Sequence, residues 1–497
     1  MGAIDDRLSD YRQTRELLER AVLPLATSVD GASFEWQASL HRLDLRRGGY
    51  VVLEGESGAR LGMVVDLSTD AASAAAQGVA GGEGGVLVRL ARGTGVVLDG
   101  DGQPFHDASV RLATAAEVGD WFERSRPDRA GLTIGEVRFA PGVPATLDGG
   151  GFDRHTFMCG QSGSGKTYSL GVLLERVLME TTLRVVVLDP NSDYVGLGRV
   201  RDGADPALLQ RYAPAASGVA VWGNNAETAD HPLRLRFRDL DQPAQAAVLG
   251  LDPVRDRDEY AALLYLLQRQ ESGRPLVTGP DDLLGSEDPG ARMLGTRALN
   301  LGVLDWQVWG PDQRSLVDEL RAPTSRCTVV DLGSLDTPQE QRLVADAVLA
   351  TLWGHRMSRR PCLVVVDEAH NICPALATDE VTALSAERAV QIAAEGRKFG
   401  LYLLTSTQRP HKVHENVVSQ CDNLLLMRMN SQADLIDLGR LLSFVPSGLL
   451  AGATAFTKGE ALVAGKVVPY ATYVRMGERV TVEGGADVPT TWAAPRV

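Results

Sequence analysis

Long uninterrupted apolar runs are missing from this sequence. None approaches the roughly 18 to 20 residues that cross a bilayer, and the opening MGAIDDRLSDYRQTRELLER is too charged for a secretory leader. A cytoplasmic protein without membrane contact is expected. Cysteine is scarce: Cys159, Cys327, Cys362, Cys373 and Cys421 are odd in number and lack metal-site spacing. Most sit in or beside apolar runs, so buried free thiols in a reducing compartment are expected rather than disulfides or zinc. Positive charge is also in deficit, with 50 Lys and Arg against 64 Asp and Glu and a net charge of -14. Such a chain does not coat nucleic acid with its whole surface, and any contact of that kind must be a local basic patch or ring. No repeat of roughly 20 to 50 residues is visible. What is present is an ordinary globular composition, 44% apolar and 23% charged over 497 residues, which excludes wholesale disorder and leaves room for several domains.

Residues 5–26 carry apolar positions at helical spacing, so an N-terminal helix is expected within 1–30. From 31 to 145 the runs FEWQASL, YVVLEG, LGMVVDL, GVLVRLA, GVVLDG and EVRFA, split by glycine, predict a small β-rich, barrel-like domain. Within it AASAAAQGVAGGEGG at 71–85 reads as a low-complexity loop, and PGVPATLDGGG at 141–151 as a linker. Beyond 146 strands alternate with helices to about 475, which predicts an α/β domain with a mainly parallel sheet. Its strand candidates HTFMCG, RVVVLD, CTVVDL, CLVVVD, LYLLTST and NLLLMRM are nearly continuous apolar runs, as strands buried on both faces require. The stretch from about 205 to 325 is too long for one crossover and is read as a helical insertion. AFTKGEALVAGKVVPYATYVRM predicts a hairpin returning to the sheet edge, and 476–497 a polar C-terminal arm.

Gly160, Gln161, Ser162, Gly163, Ser164, Gly165, Lys166 and Thr167 fit the phosphate-loop pattern, after the strand HTFMCG and before the helical run YSLGVLLERVLME. Glycines let backbone N–H groups turn inward onto phosphate oxygens, reinforced by the helix N-terminus. Lys166 then reaches the β- and γ-phosphates and the Thr167 hydroxyl takes Mg²⁺. Downstream, LVVVDEAH ends a buried strand in Asp367, placed to hold the metal, and Glu368, placed to polarise an attacking water. LYLLTSTQRP ends another in Thr405, Ser406, Thr407 and Gln408; Gln408 is the candidate γ-phosphate or water sensor, against a plain hydrogen-bonded turn. In VVVLDPNSDY, Asp189 and Asp193 could orient water or metal, with turn chemistry as the rival. Arg397, in AAEGRKFG, either compensates a helix dipole or, at a subunit boundary, stabilises the transition state in a neighbouring active site. Arg154 is a second, weaker candidate for that role.

Taken in order, GQSGSGKT, LDPNSDY, VVVDEAH, AAEGRKFG and STQRPHKVHENVVSQCDNLLLMRM resemble the HerA branch of the HerA/FtsK ATPases over about two thirds of the chain. GGYVVLEGESGARLGMVVDL resembles the small HAS-type barrel that precedes the motor in that family. The resemblance implies a RecA-like, ATP-hydrolysing motor that assembles as a homo-oligomer, a hexameric ring with ATP at subunit boundaries and double-stranded DNA in the central hole. It implies ATP and Mg²⁺ bound by the phosphate loop, Thr167 and Asp367. Catalysis would fall to Lys166, Glu368, Gln408, Asp193 and, from the adjacent subunit, Arg397; Asp193 stands where the family usually has Glu. It further implies a separate partner, a NurA-like nuclease in DNA end processing or an effector in antiphage defence, since no nuclease motif is recognisable here. The alternative is a nucleotide-dependent hexameric scaffold that assembles and regulates such a partner without productive translocation.

Overall fold

The computed structural model describes residues 24–39, 43–56, 58–69, 91–271, 279–310 and 314–484. Six strands, β1 (Leu25–Ser28), β2 (Ser33–Ala38), β3 (Tyr50–Gly55), β4 (Gly58–Thr69), β5 (Ala91–Val97) and β6 (Phe105–Leu112), close into an antiparallel barrel in the order β1-β2-β5-β4-β3-β6. Strict alternation along SFEWQA turns Phe34 and Trp36 into the barrel core with Val51, Leu53 and Val64. Across from these rings β5 carries glycine, because a Cβ at Gly95 would lie 2.1 Å from Phe34 Cζ and one at Gly93 2.7 Å from Trp36 Cε2.

A helix, Ala115–Ser125, leads out of the barrel, opened by a capping box in which Thr114 and Glu117 satisfy each other's backbone N–H groups. Next come β7 (Gly131–Val137), β8 (Pro144–Asp148), β9 (His155–Cys159), β10 (Arg184–Asp189), β11 (Val219–Gly223), β12 (His231–Pro232), β13 (Cys327–Asp331), β14 (Cys362–Val366), β15 (Leu401–Thr407), β16 (Cys421–Met427), β17 (Glu460–Gly465) and β18 (Thr472–Met476). These form one 12-stranded sheet, β12-β11-β13-β10-β14-β15-β9-β16-β17-β18-β7-β8. From β12 to β16 every pairing is parallel; from β16 to β8 every pairing is antiparallel. The mainly parallel α/β core is as expected. Its central strands are buried on both faces, which is why they are written in Val, Leu and Cys without polar alternation. All five cysteines are buried and unpaired, and no described helix is long and apolar enough to cross a membrane.

Several expectations need correction. EVRFA and the supposed linker do not belong to the barrel or to a connector: β7 and β8 extend the large sheet, with Val137 opposite Val474 of β18. The alternating pattern of GLTIGEV suits any half-buried strand, and only the partner decides which sheet it joins. Pro144 opens β8 at the sheet's edge, where a missing N–H is tolerated. Residues 25–28 are strand, not helix, because the barrel closes only when β1 pairs with both β2 and β6. The remainder of the proposed N-terminal helix and the loop at 71–85 lie outside the described residues. The 205–325 insertion is mostly helical, with helices at Gln242–Val248, Arg257–Glu271 and Pro289–Asn300, yet it contributes β11, which pairs with β13 through Val221 and Trp222. The hairpin β17–β18 sits inside the sheet, since β7 and β8 lie beyond it. The described part of the C-terminal arm is packed, with Arg479, Val480 and Thr481 buried against the helix that follows the phosphate loop.

Candidate active site

Parallel packing brings the carboxyl ends of β9, β15, β14 and β10 side by side, where open α/β sheets place their ligands. The loop after β9 leads directly into the helix Lys166–Glu180. Its glycines are conformational necessities: Gly163 and Gly165 have φ of +73° and +92°, and a Cβ at Gly160 would lie 2.4 Å from Met427 Cβ. The Ser164 hydroxyl is buried without a hydrogen-bond partner.

Lys166, 5% exposed, folds onto the end of β14. Its Nζ lies 2.7 Å from Asp367 Oδ1, 3.2 Å from Glu368 Oε1 and 3.1 Å from Ser406 Oγ at the end of β15. Burial alone would lower the Lys166 pKa, but the two carboxylates outweigh it and hold the ammonium charged, above its usual range. Glu368 adopts φ +43°, ψ +49°, a left-handed turn that a non-glycine residue takes at a cost of about 1–2 kcal/mol. That turn aims its carboxylate back at the phosphate loop. Gln408 Nε2 donates to Glu368 Oε1 at 2.8 Å, and His370 Nδ1 stands 3.2 Å from Oε2 and 3.1 Å from Thr407 Oγ1. Burial pushes the Glu368 pKa up, while the His370 hydrogen bond, the Lys166 charge and the Gln408 hydrogen bond pull it down further, leaving it below the ordinary glutamate range.

Thr167 Oγ1 is 3.5 Å from Asp193 Oδ2. Burial, followed by repulsion from Asp367, raises the Asp193 pKa to about 6. Asp189 has the turn role: its carboxylate accepts from the backbone N–H groups of Asp193 at 2.9 Å and Tyr194 at 2.8 Å. Asp367 Oδ2 is buried with no hydrogen-bond partner. An unmet carboxylate oxygen, with the Thr167 hydroxyl in the first turn of the helix that follows the phosphate loop, is a hard-oxygen donor set that fits a hydrated Mg²⁺.

A cavity of about 450 Å³ opens over the phosphate loop, lined also by Tyr168, Asp193, Gln408, Lys458 and Glu483. The structure thus gathers Lys166, Thr167, Asp193, Asp367, Glu368 and Gln408 in one place. Arg397 and Arg154 are elsewhere. Arg397 precedes β15 and Arg154 precedes β9, so each sits at the amino end of the sheet, both beside Asp422 at 3.6 and 3.7 Å. The seven residues of β15 put about 20 Å between Arg397 and Gln408. His370 was missed from sequence, although its place two residues after Glu368 was a signal. Lys458 and Glu483 carried none, being remote along the chain and in a turn and an arm.

The model of the family described as "Helicase HerA, central domain" matches residues 132–273. The "DNA double-strand break repair helicase HerA" of Pyrococcus furiosus is 24% identical over 70% of this chain and 69% of its own length. That of Sulfurisphaera tokodaii is 28% identical over 77% and 76%. A protein of Methanocaldococcus jannaschii named "Probable helicase MJECL08" is 30% identical over 67% of this chain and 68% of its own. Among solved structures, VirB4 of Thermoanaerobacter pseudethanolicus aligns with a TM-score of 0.49 at 16% identity, covering 71% of this chain and 97% of that one. With a phosphate loop on β9, the acidic pair on β14 and these relatives together, the chain belongs to the HerA-like ATPases of the HerA/FtsK superfamily.

Proposed function

We propose that this protein is the subunit of a hexameric ring motor that hydrolyses ATP to translocate on double-stranded DNA. In this reading it feeds or regulates a separate NurA-like nuclease or other effector, in DNA end processing or antiphage defence. The observation that carries the reading is the convergence of Lys166, Glu368 and Gln408 from three neighbouring strand ends, one carboxylate joining a phosphate-binding cation to a side-chain amide. That two of the relatives are named as DNA double-strand break repair helicases supports DNA as the track.

Binding of triphosphate draws Lys166 from Asp367 and Glu368 onto phosphate oxygens. Glu368 then loses its cation, its basicity rises, and it accepts a proton from the water that Gln408 orients. That water's oxygen bonds to the γ-phosphorus, the bond to the bridging oxygen breaks, and ADP and phosphate leave. Thr167 and Asp367 would hold Mg²⁺, which when bound neutralises charge on the β- and γ-phosphate oxygens. Asp193 braces Thr167. Arg397, too far from its own phosphate loop, acts on the triphosphate of the adjacent subunit. A net charge of -14 is compatible with DNA in a ring whose hole alone is basic, and binding through phosphates would be salt-sensitive and nearly sequence-blind.

The test is ATPase activity of the purified protein with and without duplex DNA. Stimulation by duplex that disappears in Lys166→Ala and in Glu368→Gln is expected. Hydrolysis indifferent to every DNA offered would overturn the translocase reading and leave the scaffold.

A further inference from the structure

Lys166 and Lys458 are the two cations among the described residues that line the cavity over the phosphate loop. Of these, Lys166 is matched by Asp367 and Glu368, and Glu483 adds another negative group to the cavity wall. A triphosphate entering there needs a cation that is not already committed to protein carboxylates.

Lys458 meets that requirement. It occupies the turn before β17, and because β17 runs antiparallel to β16, with Ala461 opposite Met427, this turn lies at the phosphate-loop end of the sheet. The turn is fastened to the loop itself: Gly459 N–H donates to the Ser164 carbonyl at 3.0 Å, and a Cβ on Gly165 would be 3.2 Å from Gly459 N and 3.5 Å from Lys458 Cγ. Glu460, the nearest carboxylate along the chain, is 2% exposed and already engaged by Arg138 at 3.0 Å, Arg475 at 3.5 Å and the Thr457 N–H at 2.8 Å. Among the described residues no carboxylate pairs with Lys458, and its side chain lines the cavity over the phosphate loop.

We infer that Lys458 is a phosphate-binding residue of the nucleotide site, supplied from the far end of the chain and reading the charge of the phosphate chain. The inference rests on the nucleotide-binding reading of the phosphate loop and names a further residue of that same site. The backbone clasp between Gly459 and Ser164 fixes where the lysine stem starts, so little ordering is required when its ammonium meets phosphate. A charge-assisted hydrogen bond of this kind corresponds to about tenfold or more in affinity.

The experiment measures ATP, ADP and AMP binding to the full-length protein by calorimetry at two salt concentrations. Lys458→Gln should weaken ATP about tenfold, weaken AMP far less, and flatten the salt dependence of ATP affinity; Lys458→Arg should restore most of the loss. A Lys458→Gln protein that binds ATP with wild-type affinity and wild-type salt dependence overturns the assignment. Equal weakening of all three nucleotides, unrelieved by Lys458→Arg, also overturns it, since that pattern reports a distorted turn. Failure of the wild-type protein to bind ATP, or full binding by Lys166→Ala, would instead remove the nucleotide-site reading beneath it.

Discussion

Gly171 in the phosphate-loop helix and Arg479 in the C-terminal arm are mutually required: a Cβ on Gly171 would lie 2.6 Å from both Cζ and Nε of the arginine. Arg479 is 1% exposed, its Cζ is 5.9 Å from the Tyr194 ring centroid, and its Nη2 reaches the Asp193 carbonyl at 3.4 Å. The arm is tied down beside it by Glu175, whose carboxylate accepts from the backbone N–H groups of Val480 and Thr481. A glycine within a helix is ordinarily improved by alanine by about 1 kcal/mol. Here Gly171→Ala should destabilise by about 1–3 kcal/mol, the cost of overpacking. Denaturant unfolding checks the sign, and Arg479→Ala in the same chain should relieve the clash so that the two changes are less than additive.

Lys166→Ala and Glu368→Gln should separate binding from hydrolysis. Removing Lys166 strands two buried carboxylates, so the nucleotide-free protein should lose about 3–5 kcal/mol of stability as well as ATP affinity. Glu368→Gln keeps the hydrogen-bonding shape beside Gln408 and should retain ATP binding while hydrolysis falls about 10²- to 10⁴-fold. Unfolding midpoints with and without ATP, beside steady-state turnover, read both effects.

A pH effect on stability is expected from Asp346, remote from the site. Its carboxylate is 1% exposed, both oxygens lack hydrogen-bond partners, and Arg388 Nε stays 3.9 Å away, because that guanidinium is drawn to Asp241. Burial, then repulsion from Asp241, raises the Asp346 pKa to about 7, with Arg388 opposing and Glu387 adding to the rise. A folded-state pKa above the unfolded one means the folded chain holds the proton more tightly. Stability from this group is therefore full below the unfolded value near 3.8 and is lost as pH rises through about 7. Asp346→Asn should gain on the wild type between pH 5 and pH 8; parallel stability curves would exclude this origin.

The parallel core was legible because strands buried on both faces have no choice but continuous apolar runs, as in RVVVLD and CLVVVD. Asp367, Glu368 and Gln408 were legible because each stands just after such a run, and Lys166 because the phosphate-loop pattern follows another; the carboxyl ends of parallel strands meet. Pairing partners were not legible: nothing within GLTIGEV states that Val137 faces Val474 rather than a barrel strand. Nor was the arm, whose polar sequence hides that Arg479 is buried beneath the Asp193 turn. Contacts made across some 300 residues of chain leave no periodicity to read.

Arg397 gives the sharpest test of assembly. Its side chain is 53% exposed, has Asp422 at 3.6 Å as its one ion-pair partner among the described residues, and stands at the opposite end of β15 from Gln408. In a head-to-tail ring the amino end of one subunit's sheet can face the next subunit's phosphate loop, so each competent boundary draws one half of its machinery from each side. Arg397→Ala and Lys166→Ala should each abolish most ATPase activity alone. Mixing the two purified variants under conditions that exchange subunits should restore hydrolysis, because some boundaries then pair an intact Lys166 with an intact Arg397. A mixture no more active than its separate components, despite demonstrated subunit exchange, would show that Arg397 does not act across the boundary. The surface ion pair with Asp422 is too exposed to matter on its own, so Asp422→Asn should leave turnover within about twofold of wild type.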